Sequence, residues 1–264
     1  MNRALAMLKK RIIPKFLIRN GRLVKGVRFH ENFREAGNPV STAKVYDAYG
    51  VDELLFVDID ATPHGRPVTG SIIERVSEEV FMPFTVGGGI RTLEQIASLL
   101  ASGADKVCIN TSAIEDPAFV TQAASRFGDQ CIVVGIDYQR WPDGGNRVVS
   151  RCGTAPTTLD PTDWAQRMQD AHAGEIMLCS IDRDGTMAGY DVDLIAQLAQ
   201  RLDVPLIASS GAGSLQHCRD ALEAGASAIT ISSMFLFSDH SPIKVRSYLA
   251  SNGVSVRSQK GSHS

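Results

Sequence analysis

The stretch PFTVGGGIRTLEQIASLLASGADKVCINTS, residues 83–112, decides the fold because the chain contains a second version of it. When residue 205 is aligned with residue 83, PLIASSGAGSLQHCRDALEAGASAITISSM follows it over residues 205–234, and proline, glycine, leucine, leucine, glycine, alanine and isoleucine coincide in that order. Both copies have the pattern of an apolar strand, an amphipathic helix and a second apolar strand. Such a repeat indicates two similar halves.

The same alternation of strand and helix patterns extends along the chain. Eight apolar runs predict strands: RIIPKFLI, ELLFVDI, PFTVGGG, DKVCIN, CIVVGID, EIMLCSI, VPLIASS and SAITIS. Continuous hydrophobicity is typical of parallel strands that are buried on both faces. We therefore expect an α/β protein with one (β/α)8 TIM barrel over residues 11–254, built of two half-barrels. Residues 1–10 are interpreted as an extension and residues 255–264 as a flexible tail. A doubly wound open sheet is the alternative, but it does not predict the repeat.

Composition and charge exclude several classes of function. The chain has 264 residues and a formal net charge of −2, with both signs mixed, which argues against a nucleic-acid-binding face or a basic membrane anchor. Its five cysteines are widely spaced without a CxxC pair and predict reduced thiols in a cytoplasmic protein. Its six histidines show no metal-ligand spacing. We expect neither a metal nor a cofactor.

Two connections are longer than a barrel usually needs. RNGRLVKGVRFHENFREAGNP (19–39) follows the first predicted strand, and YQRWPDGGNRVVSRCGTAPTT (138–158) follows the fifth, where PDGG predicts a hairpin. Both leave the carboxyl ends of strands, the face on which barrel enzymes carry their active sites. We predict that both are substrate loops.

Glycine and hydroxyl residues follow the strands of both repeat copies. A lone glycine run is as readily explained by a tight turn, but its recurrence in the second half favours anion binding by backbone N–H groups. The predicted phosphate-binding residues are Gly89, Asn110 and Thr111 in the first half, and Asp184, Gly185, Gly211, Ser232 and Ser233 in the second. Two such sites at one barrel mouth predict a ligand with a phosphate at each end.

Four aspartates also stand at the ends of predicted strands. Asp137 closes the apolar run IVVGID, where it either caps a helix or faces the mouth as a general base, and the long loop after it favours the second role. Asp58, Asp60 and Asp182 are similarly placed. For Asp58 and Asp182, orientation of neighbouring loops is an equally good interpretation.

Several motifs together resemble the HisF family, the cyclase subunit of imidazole glycerol phosphate synthase, over about residues 9–257. They include RIIP, NGRLVKG, DELLFVDIDA, PFTVGGGIRT, GADKVCINTSAI and GEIMLCSIDRDGTMAGYD. The resemblance implies a HisH-like glutaminase partner, whose ammonia passes through the barrel to a bis-phosphorylated substrate. It implies that Lys25 is a substrate-loop residue and Asp137 the general base. It also implies an ammonia gate at Arg11, Glu53, Lys106 and Glu175, for which the alternative is a salt-bridge ring that only closes the barrel floor.

The first strand departs from the HisF pattern. Leu17 stands where the family has its catalytic aspartate, and residues 12–18 contain no carboxylate. Loss of one partner of an acid–base pair commonly costs about 10²–10⁴ in rate. Asp60 stands where the family usually has a threonine, and Ser210 stands where it usually has a glycine.

This combination resembles the HisF paralogues of sugar-amidation systems, which help to form acetamidino sugars for surface polysaccharide. The resemblance then implies a phosphorylated or nucleotide-linked sugar as the substrate. Two alternatives stay open: a working histidine-pathway cyclase with Asp60 as its acid, and a non-catalytic partner that only activates the glutaminase.

Overall fold

The computed structural model describes residues 9–68 and 70–257 and shows a closed barrel of eight parallel strands. Their order around the barrel is β1, β4, β5, β6, β7, β10, β11 and β12, and β12 pairs again with β1. These strands are β1 Arg11–Arg19, β4 Leu54–Asp58, β5 Phe84–Gly87, β6 Lys106–Ile109, β7 Ile132–Arg140, β10 Glu175–Ser180, β11 Leu206–Ser209 and β12 Ala228–Ile231. The predicted TIM barrel is confirmed, and the open-sheet alternative is wrong.

Helices follow the barrel strands and cover the outside of the sheet. They are α1 Pro39–Ala48, α2 Gly70–Ser77, α3 Leu93–Ala101, α4 Thr111–Glu115, α5 Ala118–Phe127, α6 Pro161–Asp170, α7 Val192–Arg201, α8 Leu215–Glu223, α9 Ser233–Phe237 and α10 Pro242–Ser251. Within the described ranges, no helix has the length and hydrophobicity to cross a membrane. Residues 1–8 of the predicted extension and 258–264 of the predicted tail lie outside the described residues.

Side chains alternate between the two faces of each strand. On β1, Ile12, Phe16 and Ile18 pack outward into the layer between sheet and helices. Ile13 points inward, into a second apolar cluster that fills the barrel axis. The outer layer is completed by the apolar faces of the helices, and the inner cluster separates the amino end of the barrel from its mouth, the cavity at the carboxyl end.

Both long connections extend the sheet above the mouth. The predicted hairpin after β7 is confirmed, because β8 (Asn146–Ser150) pairs antiparallel with the end of β7 and is followed by the short β9 (Ala155–Pro156). The connection after β1, which we expected to be a loop, instead forms β2 (Arg22–Val27) and β3 (Glu31–Gly37). It does so because β2 pairs antiparallel with the end of β1.

The two halves share backbone geometry as well as sequence. Thr92 and Ser214 cap α3 and α8, each by accepting from the backbone N–H three residues on. Asn110 (φ −128°, ψ −77°) and Ser232 (φ −130°, ψ −80°) precede the short helices α4 and α9 in nearly the same conformation. The predicted repeat is therefore present in the backbone around both predicted anion sites.

Gly88→Ala should destabilise the protein more than Gly144→Ala. Both glycines have positive φ (116° and 85°), so both substitutions incur a left-handed backbone penalty of about 1–2 kcal/mol. At residue 88 an added Cβ would also lie 2.3 Å from the Asp58 carbonyl oxygen, whereas nothing lies within 4 Å at residue 144. We expect about 1–3 kcal/mol of extra loss at residue 88 by urea denaturation. Equal losses of stability in the two variants would show that the backbone at Gly88 is not packed closely against the Asp58 carbonyl.

Candidate active site

The mouth of the barrel contains a cavity of about 380 Å³. Residues from both halves of the barrel line it, among them Leu17, Asp60, Gly89, Thr111, Asp137 and Asp184. A smaller cavity of about 20 Å³ lies beside it in the second half. Lys15 and Asp184 line both cavities, so the two are neighbours in one continuous site.

The first predicted anion site, at Gly89, Asn110 and Thr111, has buried polar atoms without partners among the described residues. Both Asn110 side-chain polar atoms and Ser112 Oγ are buried and make no hydrogen bond with the described residues. Gly89 cannot be replaced without a clash, because an added Cβ would lie 2.3 Å from the Arg66 carbonyl oxygen. Buried polar atoms are costly when they are unpaired, so their presence here supports a polar ligand.

The second anion site is arranged around a buried ion pair. Lys25 Nζ donates to Asp184 Oδ2 at 2.6 Å, and Ser210 Oγ donates to Asp184 Oδ1 at 3.1 Å. Ser232 Oγ is buried without a partner among the described residues. Gly185, Gly211 and Ser233 complete the lining of the small cavity. The structure thus brings together all the residues that the sequence predicted for this site.

Asp137 stands where the strand β7 enters the mouth. Burial raises the pKa of Asp137 to about 6, and the charge of Asp184 adds to this, although the Lys15 ammonium and a hydrogen bond with the Cys179 thiol favour the ionised form. A carboxylate with a pKa near neutrality can both accept and release a proton at physiological pH. The position and the pKa therefore suit a general base.

Strand β1 provides no acid at the position where the HisF pattern has its catalytic aspartate. Leu17 lies opposite Val57 in β4 and lines the large cavity with an apolar surface. Asp60 lines the same cavity, but its Oδ1 lies 3.5 Å from Arg19 Nε in an ion pair. The cavity thus has a second carboxylate, which already has a cationic partner.

The other two aspartates bind backbone and side-chain donors of neighbouring loops. Asp58 Oδ1 accepts from the backbone N–H groups of Asp60 and Ala61, each at 3.1 Å, while its carboxylate also binds Arg66. Asp182 Oδ2 accepts from the Arg140 N–H at 2.8 Å. Asp58 still reaches the large cavity, whereas the structure brings Asp182 to neither cavity. Loop orientation is the interpretation that fits Asp182.

A ring of four charged side chains, the gate ring, closes the amino end of the barrel. Its members are Arg11, Glu53, Lys106 and Glu175. Positive and negative groups alternate, with contacts of 2.8 Å (Arg11–Glu53), 2.9 Å (Lys106–Glu53) and 2.6 Å (Lys106–Glu175), and Arg11 also binds Glu175. The structure therefore brings the four predicted residues together.

Two features of the mouth were not predicted from the sequence. Phe29, His30 and Phe33 of the β2–β3 hairpin line the large cavity as an aromatic wall. Lys15 lies deep in the mouth, and its Nζ is 3.1 Å from Ser209 Oγ. The inward direction of Lys15 could have been predicted, because residues 13, 15 and 17 of an alternating strand share one face. It was not predicted because Lys15 lies within an apolar run that reads as a continuous buried strand.

A family model described as histidine biosynthesis protein matches residues 11–241. The match covers all eight barrel strands and both long hairpins. Within residues 9–68 and 70–257, no group of three His, Cys, Asp or Glu side chains is arranged to hold a metal ion.

Asp137→Asn should stabilise the protein at pH 8 but not at pH 4. Because the folded-state pKa of Asp137 is raised from 3.8 to about 6, the native state holds this proton more tightly than the unfolded state. Stability is therefore lost as the pH rises through this range, and the ionised carboxylate costs on the order of 1–3 kcal/mol at pH 8.

Urea denaturation of Asp137→Asn at both pH values measures this difference. The matched control is Asp193→Asn, which changes an exposed carboxylate on α7 and should alter stability by less than about 1 kcal/mol at either pH. A pH-independent effect of Asp137→Asn would contradict the assignment of a raised pKa.

Proposed function

Because the chain belongs to the histidine biosynthesis protein family, we propose that it is the HisF-like synthase subunit of a glutamine amidotransferase. It forms a heterodimer with a HisH-like glutaminase and uses the ammonia released there. Its substrate is a phosphorylated or nucleotide-linked sugar, which receives nitrogen in the formation of an acetamidino sugar. The observation that carries this proposal is the gate ring at one end of a barrel whose other end holds Asp137.

Stability alone does not account for the gate ring. Burial of four charges costs desolvation energy, and well-packed apolar side chains in such a place are commonly as stabilising or more so. Glu53 and Glu175 are both buried, and Thr85 Oγ1 donates to Glu53 at 2.6 Å, so a carboxylate oxygen of the ring is tied to the sheet. A set of alternating charges at a narrow entrance can admit a small polar molecule when one ion pair opens. Ammonia is such a molecule.

The amino-terminal face of the barrel also carries an exposed aromatic side chain. Phe81 is 96% exposed and lies three residues before β5 begins, on the same face as the gate ring. Phenylalanine is enriched in protein interfaces, where its burial is favourable. This supports docking of the glutaminase over the gate ring.

The mouth supports nitrogen transfer with one proton-accepting group. Ammonia attacks an electrophilic carbon of the sugar-linked substrate, a C–N bond forms, and the nitrogen becomes positively charged. Asp137 then accepts a proton from that nitrogen. Leu17 cannot donate a proton to the group that leaves the carbon, so departure of that group as a stable anion such as phosphate is consistent with an activated phosphorylated substrate.

A histidine-pathway cyclase is the second candidate, because two anion sites in one mouth suit a substrate with two phosphates. In that case Asp60 would replace the acid of strand 1. The Asp60 carboxylate is engaged by Arg19 at 3.5 Å, and this contact speaks against the role. A non-catalytic activator of the glutaminase is the third candidate, but it would have no use for Asp137.

Phe81→Ser should weaken the activation of the glutaminase by this chain. Glutamine hydrolysis by a HisH-like glutaminase from the same organism is measured with increasing amounts of the chain. We expect half-maximal activation to need at least about tenfold more of the variant, because an interface aromatic is lost.

Phe237→Ser is the matched control for Phe81→Ser. Phe237 is also exposed but ends α9 on the opposite, carboxyl side of the barrel, so its replacement should leave activation unchanged. Glutamine hydrolysis that does not respond to the natural chain would overturn the proposal.

The natural chain should fail to restore growth without histidine to a strain that lacks the histidine-pathway cyclase. Leu17→Asp should restore part of it, because the new carboxylate would enter the cavity that Asp137 lines. Leu17→Asn is the matched control, since it has a similar shape but cannot exchange a proton. Growth with the natural chain, abolished by Asp60→Asn, would instead favour the cyclase.

A further inference from the structure

Lys15 places a buried ammonium group where the two cavities of the mouth meet. The residue is only 6% exposed. Its Nζ donates to Ser209 Oγ at 3.1 Å and to Cys179 Sγ at 3.4 Å. An ammonium group has three N–H donors, so one donor is left over from these two contacts. That donor is available to a group in the cavities that Lys15 lines.

The partners of Lys15 are neutral. Burial raises the pKa of the Cys179 thiol, so this partner is not a thiolate at neutral pH. In the described part of the chain, no carboxylate oxygen lies within 4.0 Å of Lys15 Nζ. Asp137 and Asp184 attract this ammonium from beyond 4.0 Å, and an anionic ligand would give it an opposite charge in direct contact.

Lys25 is a second buried lysine of the same site, and its charge, unlike that of Lys15, is paired. Its ammonium is also buried, but it donates to Asp184 Oδ2 at 2.6 Å and is neutralised there. Both lysines line the small cavity of the second anion site. The pair formed by Lys25 and Asp184 contributes no net charge, so the positive charge of this cavity comes from Lys15.

A hydrogen-bond network among Thr230, Ser209 and Cys179 holds the Lys15 ammonium in place. Thr230 Oγ1 donates to Ser209 Oγ at 2.9 Å, and Ser209 Oγ in turn donates to Cys179 Sγ at 3.7 Å. The lone pairs of Ser209 Oγ therefore face Thr230 and Lys15. Lys15 lines the small cavity together with Ser232, whose buried hydroxyl has no partner among the described residues.

We propose that Lys15 is a direct ligand of the phosphate at the second anion site. The phosphate accepts from the Lys15 ammonium and from the Ser232 and Ser233 hydroxyls. This inference rests on the phosphorylated substrate of the proposed function and adds a specificity residue to it. A substrate whose end is a phosphate dianion is selected over one that ends in a neutral sugar, because only the anion neutralises Lys15.

Inorganic phosphate is the probe for this role, with the full chain and two variants. Crystals soaked in phosphate should show density beside Ser233 and beside Thr111 in the natural protein. Lys15→Met, which keeps the length of the side chain without its charge, should lose the density beside Ser233 only. Thr111→Val should lose the density beside Thr111 only.

Titration calorimetry gives the size of the effect. Lys15→Met should weaken the second-site phosphate affinity at least about tenfold, as expected for a lost charge-assisted hydrogen bond. Lys15→Met also loses the hydrogen bonds to Ser209 and Cys179, so its melting temperature without phosphate is measured to confirm that the variant is folded during the titration. Lys15→Gln gives a second, polar variant if Lys15→Met folds poorly.

The outcomes separate this inference from the proposed function. Unchanged density and affinity at the second site in Lys15→Met and Lys15→Gln would overturn the role of Lys15 and leave the proposed function standing. A fall in melting temperature with unchanged phosphate binding would assign Lys15 a structural role only. Absence of phosphate from both sites of the natural protein would instead overturn the phosphorylated substrate itself, and the inference with it.

Discussion

The alternation of side chains along the closed barrel strands is the constraint on which the rest of the structure depends. Strand β1 shows its consequence most directly, because its inward positions run from one end of the barrel to the other. Arg11 belongs to the gate ring, Ile13 to the apolar axis, and Lys15 and Leu17 to the mouth. A shift of one residue would exchange these side chains for those that pack under the helices.

The two ends of the barrel differ in how their charged side chains are paired. The gate ring has two cations and two anions in mutual contact, so it is neutral as a unit. In the mouth, by contrast, Lys25 pairs with Asp184 and Arg19 with Asp60, while neither Lys15 nor Asp137 has an oppositely charged group within 4.0 Å among the described residues. The mouth instead offers separate positive and negative groups. This difference is consistent with the proposed entry of neutral ammonia at one end and the proposed binding of an ionic substrate at the other.

The barrel could be predicted from sequence because its signals are local: apolar runs, caps and an internal repeat. The residues at the carboxyl ends of the strands meet in every such barrel, which is why the two anion sites could be proposed without coordinates. The β2–β3 hairpin did have a local signal, because Asn20 and Gly21, both with positive φ (49° and 75°), form the two-residue turn that pairs β2 with β1. Lys15 was missed because its contacts, Cys179 and Ser209, lie on strands far away in the sequence. The placement of Asp182 was equally unpredictable, since its partner, the Arg140 N–H, belongs to a different strand.

Leu17 and Lys15 lie on the same face of strand β1, and both make that face less acidic than the HisF pattern predicts. In the HisF pattern this face carries an acid; here it carries an apolar group and, one inward position deeper, an ammonium. The negative groups around this ammonium raise its pKa in spite of burial, which fits the proposed role of Lys15 as a charged phosphate ligand. A mouth of this kind stabilises negative charge that is already on the substrate or that leaves with a departing group. Strand β1 provides no proton for a poor leaving group, which fits the activated substrate of the proposed function.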